Sequence, residues 1–367
     1  MDAQLYNRLR DEEYRNWLKT QQCLSVLRSR IRNFVDKETG TFHRTLLNNP
    51  ALTERNCNDE VCYTRTKKDS LCKSCIEGWR REILTYHTAQ KTYSKGFDAC
   101  QWPTNKWEVA KVFMPSGHKN HSKLDQFDVS AILNLMRFCK HFSSFIPCQF
   151  LENVVQVRNA LMHSPDFKLT TEEMNMHVEK VMTLVKTLQT HVPELNGFEE
   201  EMKQLNNNLD EIFSQTSQSA DDKKEDIKNC EIEAVKEMIG ALLLCFEENL
   251  DEGNEEEKLQ PVKKVLDFLK RNKDLQENLS PQVKEMQDKV DQHEQQISVL
   301  EKRVDKLEKT QVPVSEAVPV ESEASSGAAT QSAQTPAVTM TIKASKGGTV
   351  KAPVISGGVY NGPVTFN

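Results

Sequence analysis

Apolar residues recur at helical intervals through the first half of the chain and predict a mainly α fold. Between residues 3 and 36 they fall on one helical face: Leu5, Leu9, Trp17, Leu24, Leu27, Ile31 and Val35. The run Lys37-Glu38-Thr39-Gly40 predicts the end of this helix, with a separate short helix over 43–48. Further helices are expected at 76–86, 107–114, 128–142 and 150–162.

Two local signals organise the region that follows. Pro165 disfavours the α conformation of the residue before it, so the helix over 150–162 should end there. Thr170 and Glu173 have the spacing of a capping box, which predicts the start of another helix. We therefore assign residues 1–195 to one helical domain that carries a polar, Cys-rich insertion over 51–76.

The next two segments are also helical. Residues 198–277 form a predicted helical arm of three stretches, broken at Ser214–Asp222 and at Gly253-Asn254. Over 280–310, apolar core positions alternate at spacings of three and four, which is the heptad pattern of a coiled coil. These positions are Val283, Met286, Val290, His293, Ile297, Leu300, Val304 and Leu307.

This heptad pattern favours a parallel dimer of the chain. Residues with β-branched side chains at every first core position, and Leu at the last two second positions, favour two parallel strands. Lys289 with Glu294, and Arg303 with Glu308, would then pair between chains. The alternative is a single amphipathic helix that lies on the domain.

The C-terminal residues differ in composition from the rest. Residues 311–337 are rich in Ser, Ala, Pro, Glu and Gln and should form a disordered linker. Residues 338–367 hold short β-prone segments separated by Gly, which can stack with copies of themselves. This tail resembles tail motifs of fish innate-immune proteins and amyloid-type signalling motifs. Self-assembly, docking on a partner and a flexible tail are the three alternatives for it.

The composition indicates in which cellular compartment the protein is expected and what kind of surface could contact RNA. A formal net charge of −6 argues against general phosphate coating, so any RNA contact should be a local basic site. The longest apolar run, Met238–Phe246, is far shorter than the roughly 20 residues that cross a bilayer, so no membrane contact is expected. The N-terminus lacks the features of a secretion signal. Ten cysteines without an export signal should be reduced thiols or metal ligands, in the cytoplasm or the nucleus.

Four cysteines of the insertion predict a structural Zn²⁺ site. They are Cys57, Cys62, Cys72 and Cys75. The Cys72-x2-Cys75 half has the usual knuckle spacing, and the other half is looser. His87 and Cys100 are the substitutes if one thiol is not a ligand, and a loop of free thiols is the alternative. Four protein ligands would leave no open position for a substrate.

Basic residues surround these cysteines: Arg65, Lys67, Lys68, Lys73, Arg80 and Arg81. Aromatic residues are interleaved with them or follow them: Trp79, Tyr86, Tyr93 and Trp102. Together they could bind single-stranded RNA through charge and stacking. The alternative is a solvated face beside aromatic residues of the core.

The hexapeptide Arg158-Asn159-Ala160-Leu161-Met162-His163 combines a permanent cation, an amide and an imidazole. Histidine is a common acid and base in catalysis, so His163 could move the protons of RNA cleavage, while Arg158 could hold the phosphate. Asn159 would orient the imidazole or a phosphate oxygen.

On a continuous helix, however, residues five apart lie about 140° apart around the axis. A bent last turn would be needed to bring His163 back toward Arg158. The alternative is that Arg158 pairs with a carboxylate such as Glu152 or Asp166, while His163 caps the helix end.

Arg158-Asn159-x3-His163 resembles the signature of the HEPN superfamily, all-helical domains of RNA-cleaving and RNA-binding proteins, here of the type found in a DAZ-interacting zinc-finger ubiquitin ligase. This resemblance implies that a second subunit could complete the site. Over about residues 5 to 290, the chain resembles an uncharacterised vertebrate family, that of the human X-chromosome open reading frame 38 protein. The segments that carry this resemblance are Glu13-Tyr14-Arg15-Asn16-Trp17, Trp107-Glu108-Val109-Ala110-Lys111-Val112-Phe113-Met114-Pro115, the hexapeptide itself, and Val265–Leu279 around Phe268-Leu269-Lys270-Arg271-Asn272.

We therefore expect a mainly α protein with a HEPN-like domain, a helical arm, a coiled coil and a disordered or β-prone tail. Its expected function is that of an intracellular RNA-associated or scaffolding interaction protein, with a role in innate immunity that the tail alone suggests. The alternative is a metal-independent HEPN endoribonuclease that leaves 2′,3′-cyclic phosphate ends. The residues leave open whether the chain is an enzyme.

Overall fold

The computed structural model describes residues 3–53, 57, 59–66, 70–90, 96–164, 166–214, 220–248 and 255–310. Within these ranges, the side chains at 208, 210–214, 220–224, 245–248, 255–258, 296, 300, 301 and 304–310 are not described. The predicted linker over 311–337 and the predicted tail over 338–367 lie outside the described residues, as do Lys67, Lys68 and Tyr93.

The described part of the chain is mainly helical, which confirms the predicted fold class. Its α-helices are α1 (Ala3–Arg10), α2 (Glu12–Leu47), α3 (Pro50–Thr53), α4 (Tyr63–Thr66), α5 (Lys73–Thr85), α6 (Lys106–Ala110), α7 (Val129–Phe138), α8 (Cys148–His163), α9 (Thr171–Leu188), α10 (Phe198–Ser214), α11 (Ala220–Glu248), α12 (Glu255–Arg271), α13 (Lys273–Asn278) and α14 (Ser280–Thr310). Short 3₁₀ helices lie at Ala99–Gln101, Lys111–Phe113, Leu124–Gln126, Lys140–Ser144 and Pro193–Leu195.

Helix α2 is longer than its sequence predicts. Asp11 caps its N-terminus by accepting hydrogen bonds from the amides of Glu13 and Tyr14. The predicted break at 37–40 is wrong, because the helix continues to Leu47. A glycine inside a helix costs about 1 kcal/mol. Phe42 and Leu46, which follow Gly40, are buried, and burial of each large apolar side chain stabilises the fold by about 2 kcal/mol. This stabilisation exceeds the cost of the glycine.

Helices α7, α8 and α9 pack together and against α2. The indole N–H of Trp17 on α2 donates to the Leu161 carbonyl of α8 over 3.4 Å, and its ring meets Phe167 edge to face. Thr170 and Glu173 form the predicted capping box at the start of α9. The predicted helix over 128–142 is interrupted, since α7 ends at Phe138 and a 3₁₀ turn follows.

Helices of the predicted arm pack on the first domain, and α11 already begins at Ala220, within the predicted break at Ser214–Asp222. The other residues of the predicted breaks, 215–219 and 253–254, lie outside the described residues.

Arg8 on α1 binds Glu231 on α11 at 2.7 Å and Asp274 on α13 at 2.6 Å. The Tyr14 hydroxyl also donates to Glu231 over 2.7 Å. Removal of one partner from such a buried network would leave an uncompensated charge, so its loss should destabilise the contact between the arm and the first domain. Residues Met1–Glu308 accordingly belong to one compact unit.

The first half of α14 lies on the same chain. Met286 and Val290 are buried in the common core, and Lys263 on α12 binds Glu294 at 2.7 Å. For these residues the arrangement is that of an amphipathic helix on the domain. Farther along, Val299 is 56% exposed. The heptad residues Leu300, Val304 and Leu307 belong to the side chains that are not described, so the predicted coiled coil stays a prediction.

None of the described helices combines the length and the apolar character that crossing a membrane requires.

Candidate functional site

The four predicted metal ligands lie together. The sulfur atoms of Cys57, Cys62, Cys72 and Cys75 are all within 4.8 Å of one another, and those of Cys57 and Cys72 are 3.2 Å apart. Zinc–sulfur bonds of about 2.3 Å in a tetrahedron place the sulfurs about 3.8 Å from one another. The cluster could therefore hold a metal ion of this size. We call these four residues the Cys cluster.

Short-range backbone geometry brings the Cys cluster together. Cys62 directly precedes α4, and Cys72 is the N-cap residue of α5. The Cys72 amide donates to the Cys62 sulfur over 3.3 Å, as backbone amides do where they orient thiolate ligands. The Thr64 hydroxyl lies 3.3 Å from the Cys62 sulfur and 3.4 Å from the Cys75 sulfur.

The thiols of the cluster differ in acidity. Burial raises the pKa of Cys62, but hydrogen bonds from the Thr64 hydroxyl and the Cys72 amide outweigh it and lower that pKa to about 6. Burial raises the pKa of Cys75 to about 12, with the neighbouring sulfurs adding to the rise. Four sulfurs so close cannot all ionise on their own, because thiolates repel each other. A bound cation would remove that repulsion.

One substitute ligand, His87, and two of the aromatic residues, Trp79 and Trp102, lie elsewhere in the fold. His87 is buried, stacked on the rings of Phe113 and Phe138, and does not belong to the Cys cluster. Trp79 and Trp102 are core residues, which confirms the alternative interpretation for these two rings. They are not available for stacking on bases.

The basic residues described beside the Cys cluster lie at the surface. Arg65, Lys73, Arg80 and Arg81 are all exposed. This exposure is compatible both with an RNA-binding surface and with a solvated face that binds nothing. Exposed basic residues can contact phosphates, and they need no ligand to be stable.

The Arg158–His163 hexapeptide lies in the last turns of α8, which stays helical through His163. No bent last turn therefore brings His163 back, and its side chain is exposed at the helix end. The guanidinium of Arg158 points elsewhere and binds the Asp128 carboxylate at 2.8 Å. It also donates to the side-chain carbonyl of Asn159 over 3.2 Å.

The carboxylate partner of Arg158 is not one of the two that the sequence suggests. Glu152 binds Arg137 at 3.0 Å instead. Asp128 is the N-cap residue of α7 and accepts a hydrogen bond from the Ala131 amide over 2.8 Å. The sequence signal for Asp128 is that of a helix cap, an acidic residue directly before an apolar helical run. Nothing in this signal points to residue 158.

Two histidines complete the surroundings of this ion pair. His118 is 2% exposed, and its Nδ1 lies 2.9 Å from Nδ1 of His121. Burial, together with His121 and the cation of Arg158, lowers the pKa of His118 to about 4 although Asp128 opposes this. Burial raises the pKa of Asp128, but Arg158 and His118 hold it below its usual value. Sequence reasoning missed both histidines, which lie in a loop without any repeating pattern.

The chain belongs to a family defined by a domain of unknown function (DUF4559), whose sequence pattern matches residues 8–307. It is similar to a mouse protein called "Uncharacterized protein CXorf38 homolog", with 29% identity over 320 residues. This alignment covers 81% of the present chain and 95% of the mouse protein. The predicted membership of the X-chromosome open reading frame 38 family is thereby confirmed, whereas the HEPN resemblance stays a prediction. No solved structure matches the chain.

Proposed function

We propose that the protein is a non-enzymatic interaction protein, RNA-associated or scaffolding, built on a HEPN-like helical domain. The observation that supports this most is the separation of Arg158 from His163. Arg158 binds Asp128 at 2.8 Å, while His163 is exposed at the end of a continuous helix. Cleavage of a phosphodiester needs the proton-transfer group and the phosphate-binding cation within hydrogen-bond reach of one phosphate. Within one chain, the continuous helix places the two residues about 140° apart around its axis, which argues against their facing one phosphate together.

The Cys cluster is proposed to bind a structural Zn²⁺. Its four sulfurs lie within 4.8 Å of one another, close enough to share one ion, and the surrounding loop has few apolar residues of its own to hold it. Such a site stabilises the fold and leaves no position for a substrate. A site of four zinc-bound thiolates needs reduced cysteines, which supports the proposal of a cytoplasmic or nuclear location. The proposed role in innate immunity rests on the tail over 338–367, outside the described residues.

Dimerisation is proposed for the second half of α14. The first half already packs on its own chain, so the contact between chains would begin near Ile297, which is only partly buried.

Removing all of 280–310 would also expose the core around Met286. The sharper variant is Leu300→Glu with Leu307→Glu, which places charges on the predicted seam. Val299→Glu lies off the seam and is the control. Analytical ultracentrifugation should find a monomer only for the double variant, whereas a dimer in all three would exclude this helix as the contact.

RNA association is proposed for the exposed basic face beside the Cys cluster. The test compares binding of a mixed-sequence single-stranded RNA to the purified chain and to Arg80→Glu/Arg81→Glu. Lys186→Glu/Lys264→Glu changes the net charge equally at exposed positions on α9 and α12 and serves as the control. Selective weakening by the first pair, with a lower salt dependence, is expected. Equal binding by both double variants would exclude this face.

The same RNA also tests the endoribonuclease alternative. We expect no cleavage by the chain or by His163→Ala in a buffer without added metal. Cyclic-phosphate products that disappear in His163→Ala would overturn the non-enzymatic proposal and give the hexapeptide its catalytic role. Folding of each variant is checked by circular dichroism.

A further inference from the structure

The four residues of the Cys cluster differ in their access to solvent. Cys62 and Cys75 are only 1% and 3% exposed, whereas Cys57 and Cys72 are half-buried. The oxidation of a cysteine depends on its thiolate character and on its exposure. All four residues would be thiolates as zinc ligands, so exposure decides between them. A small dissolved oxidant would therefore reach Cys57 and Cys72 first.

The two buried cysteines share a partner outside the metal position. The Thr64 hydroxyl in α4 lies 3.3 Å from the Cys62 sulfur and 3.4 Å from the Cys75 sulfur. The Cys72 amide also donates to the Cys62 sulfur. Groups that bond to metal ligands in this way orient them, and their removal typically weakens metal binding by about 10- to 100-fold. The buried half of the cluster is thus organised to hold a metal ion.

The two half-buried cysteines are organised differently, because their sulfurs contact each other. These sulfurs are 3.2 Å apart. A tetrahedral zinc ion would hold two sulfurs about 3.8 Å apart, and a disulfide bond holds them about 2.05 Å apart. The separation of Cys57 and Cys72 lies between these values. A movement of about 1 Å would bring the two sulfurs to bonding distance.

From this asymmetry we infer that Cys57 and Cys72 form a redox-active pair, whose oxidation by a peroxide releases the metal. The inference rests on the proposed zinc site. One of the two thiolates attacks hydrogen peroxide, so that the O–O bond breaks, a sulfenic acid forms and hydroxide leaves. The other thiolate attacks the sulfur of the sulfenic acid, which forms the disulfide and expels a second hydroxide. Two electrons pass from the sulfurs to the peroxide, and two protons from solvent convert both hydroxides into water.

This reaction takes place at sulfur and needs no open position on the metal. The disulfide leaves Cys62 and Cys75 as the remaining ligands, which is too few for a structural site of four. It also ties residues 57 and 72 together covalently, so the loop between them stays closed after the metal is lost. A dithiol reductant can reverse the reaction by thiol–disulfide exchange and restore all four ligands.

The test treats the reduced, zinc-loaded chain with hydrogen peroxide. A chromogenic chelator follows the release of zinc, and mass spectrometry maps the disulfides after free thiols are alkylated. We expect a disulfide between Cys57 and Cys72, loss of the bound zinc in parallel, and renewed zinc binding after dithiothreitol. The spacing Cys72-x2-Cys75 is that of common redox motifs and favours another pair. A disulfide between Cys72 and Cys75 as the main product would overturn the inference.

Two variants that each retain three cysteines of the cluster separate the pair from the other ligands. With peroxide, Cys62→Ser should still form the disulfide between Cys57 and Cys72. Cys57→Ser should form none, and Cys72 should remain as a sulfenic acid that dimedone traps. Equal disulfide formation in both variants would contradict the assignment. Circular dichroism checks their folding, and the disulfide map of the wild type needs no variant.

Thr64→Val separates metal binding from oxidation. It removes the hydroxyl that bridges Cys62 and Cys75, and it should weaken zinc binding by about tenfold or more while the disulfide between Cys57 and Cys72 still forms. Thr64→Ser keeps the hydroxyl and should bind zinc as the wild type does. Zinc binding that is the same in Thr64→Val and the wild type would overturn the role of Thr64.

The zinc content of the reduced wild type distinguishes this inference from the zinc proposal. If the reduced chain holds zinc, then retention of the ion in peroxide overturns the inference and leaves the zinc site intact. Loss of zinc without a disulfide between Cys57 and Cys72 does the same. If the reduced chain holds no zinc, the zinc proposal and the release of metal both fail, and the disulfide map still decides the redox pair.

Discussion

The Cys cluster and the Arg158–His163 hexapeptide are both short sequence patterns of reactive side chains. The fold brings the side chains of the Cys cluster together, whereas it separates those of Arg158 and His163. The four cysteines are spread over 19 positions and yet place their sulfurs within 4.8 Å. Arg158 and His163 are only five positions apart, and their side chains diverge around a continuous helix. Closeness along the chain is therefore a poor guide to closeness in space when the residues share a helix.

The backbone between the residues explains this difference. Cys62 directly precedes α4 and Cys72 directly precedes α5, and the Cys72 amide donates to the Cys62 sulfur. Ligands on separate segments of the chain can converge on one metal ion, as they do in zinc knuckles. A helix instead advances about 1.5 Å and rotates about 100° for each residue. Arg158 is consequently matched by a residue 30 positions away, Asp128.

The largest effect should come from breaking the Cys cluster. Cys75→Ser removes a proposed zinc ligand, and the zinc content of the purified chain should fall from one ion to none. At free zinc about 1,000 times the dissociation constant, the loss amounts to about 4 kcal/mol of folding free energy.

The measurements are metal analysis and urea unfolding, with Cys148→Ser, an exposed cysteine outside the cluster, as the control. If wild type carries no metal and both variants unfold at the same urea concentration, the cluster has no metal-binding role.

A smaller effect should come from acidification near Arg158. The pKa of His118 is about 4 in the fold, against 6.5 for an ordinary histidine. Between these two values the unfolded chain binds the proton and the folded chain does not, so stability is lost as the pH falls from 6.5 to 4. Over the full window the loss is about 3 kcal/mol. The groups that face His118 are Asp128, His121, Arg158 and Lys111.

His118→Gln should show a flatter dependence of unfolding free energy on pH than wild type. Both proteins would lose zinc from the Cys cluster at the same pH. The difference between their unfolding free energies at each pH therefore does not contain the contribution of zinc loss. Identical pH profiles for both would contradict the assignment of this pH dependence to His118.

The smallest effect is expected at the other end of the hexapeptide. His163→Ala changes an exposed side chain, and such surface changes usually alter stability by less than about 0.5 kcal/mol. Melting should therefore match that of wild type. A large destabilisation would mean that His163 makes a contact in the dimer that the single chain does not contain.

Helical periodicity predicted the fold class, and residue spacing predicted the capping box at Thr170, because each depends on neighbouring residues. The prediction failed at 37–40, where burial of Phe42 and Leu46 outweighs the local helix-breaking signal. The Cys cluster was predictable from spacing for the same local reason. Partners far apart in sequence were not predictable: Asp128 for Arg158, and Glu231 for Arg8, which is 223 positions away.

The central claim is that the Arg158 side chain forms its ion pair with Asp128 and does not act together with His163. A double-mutant cycle on urea unfolding tests it most directly, with Arg158→Met, Asp128→Asn and His163→Ala singly and in pairs. Residues in direct contact show coupling of about 0.5–3 kcal/mol, and independent residues add within about 0.5 kcal/mol.

We predict coupling of about 1 kcal/mol or more between Arg158 and Asp128, whose side chains are only 11% and 22% exposed. We predict additivity between Arg158 and His163. Coupling of Arg158 to His163 that equals or exceeds its coupling to Asp128 would contradict the account and restore the hexapeptide as a single site.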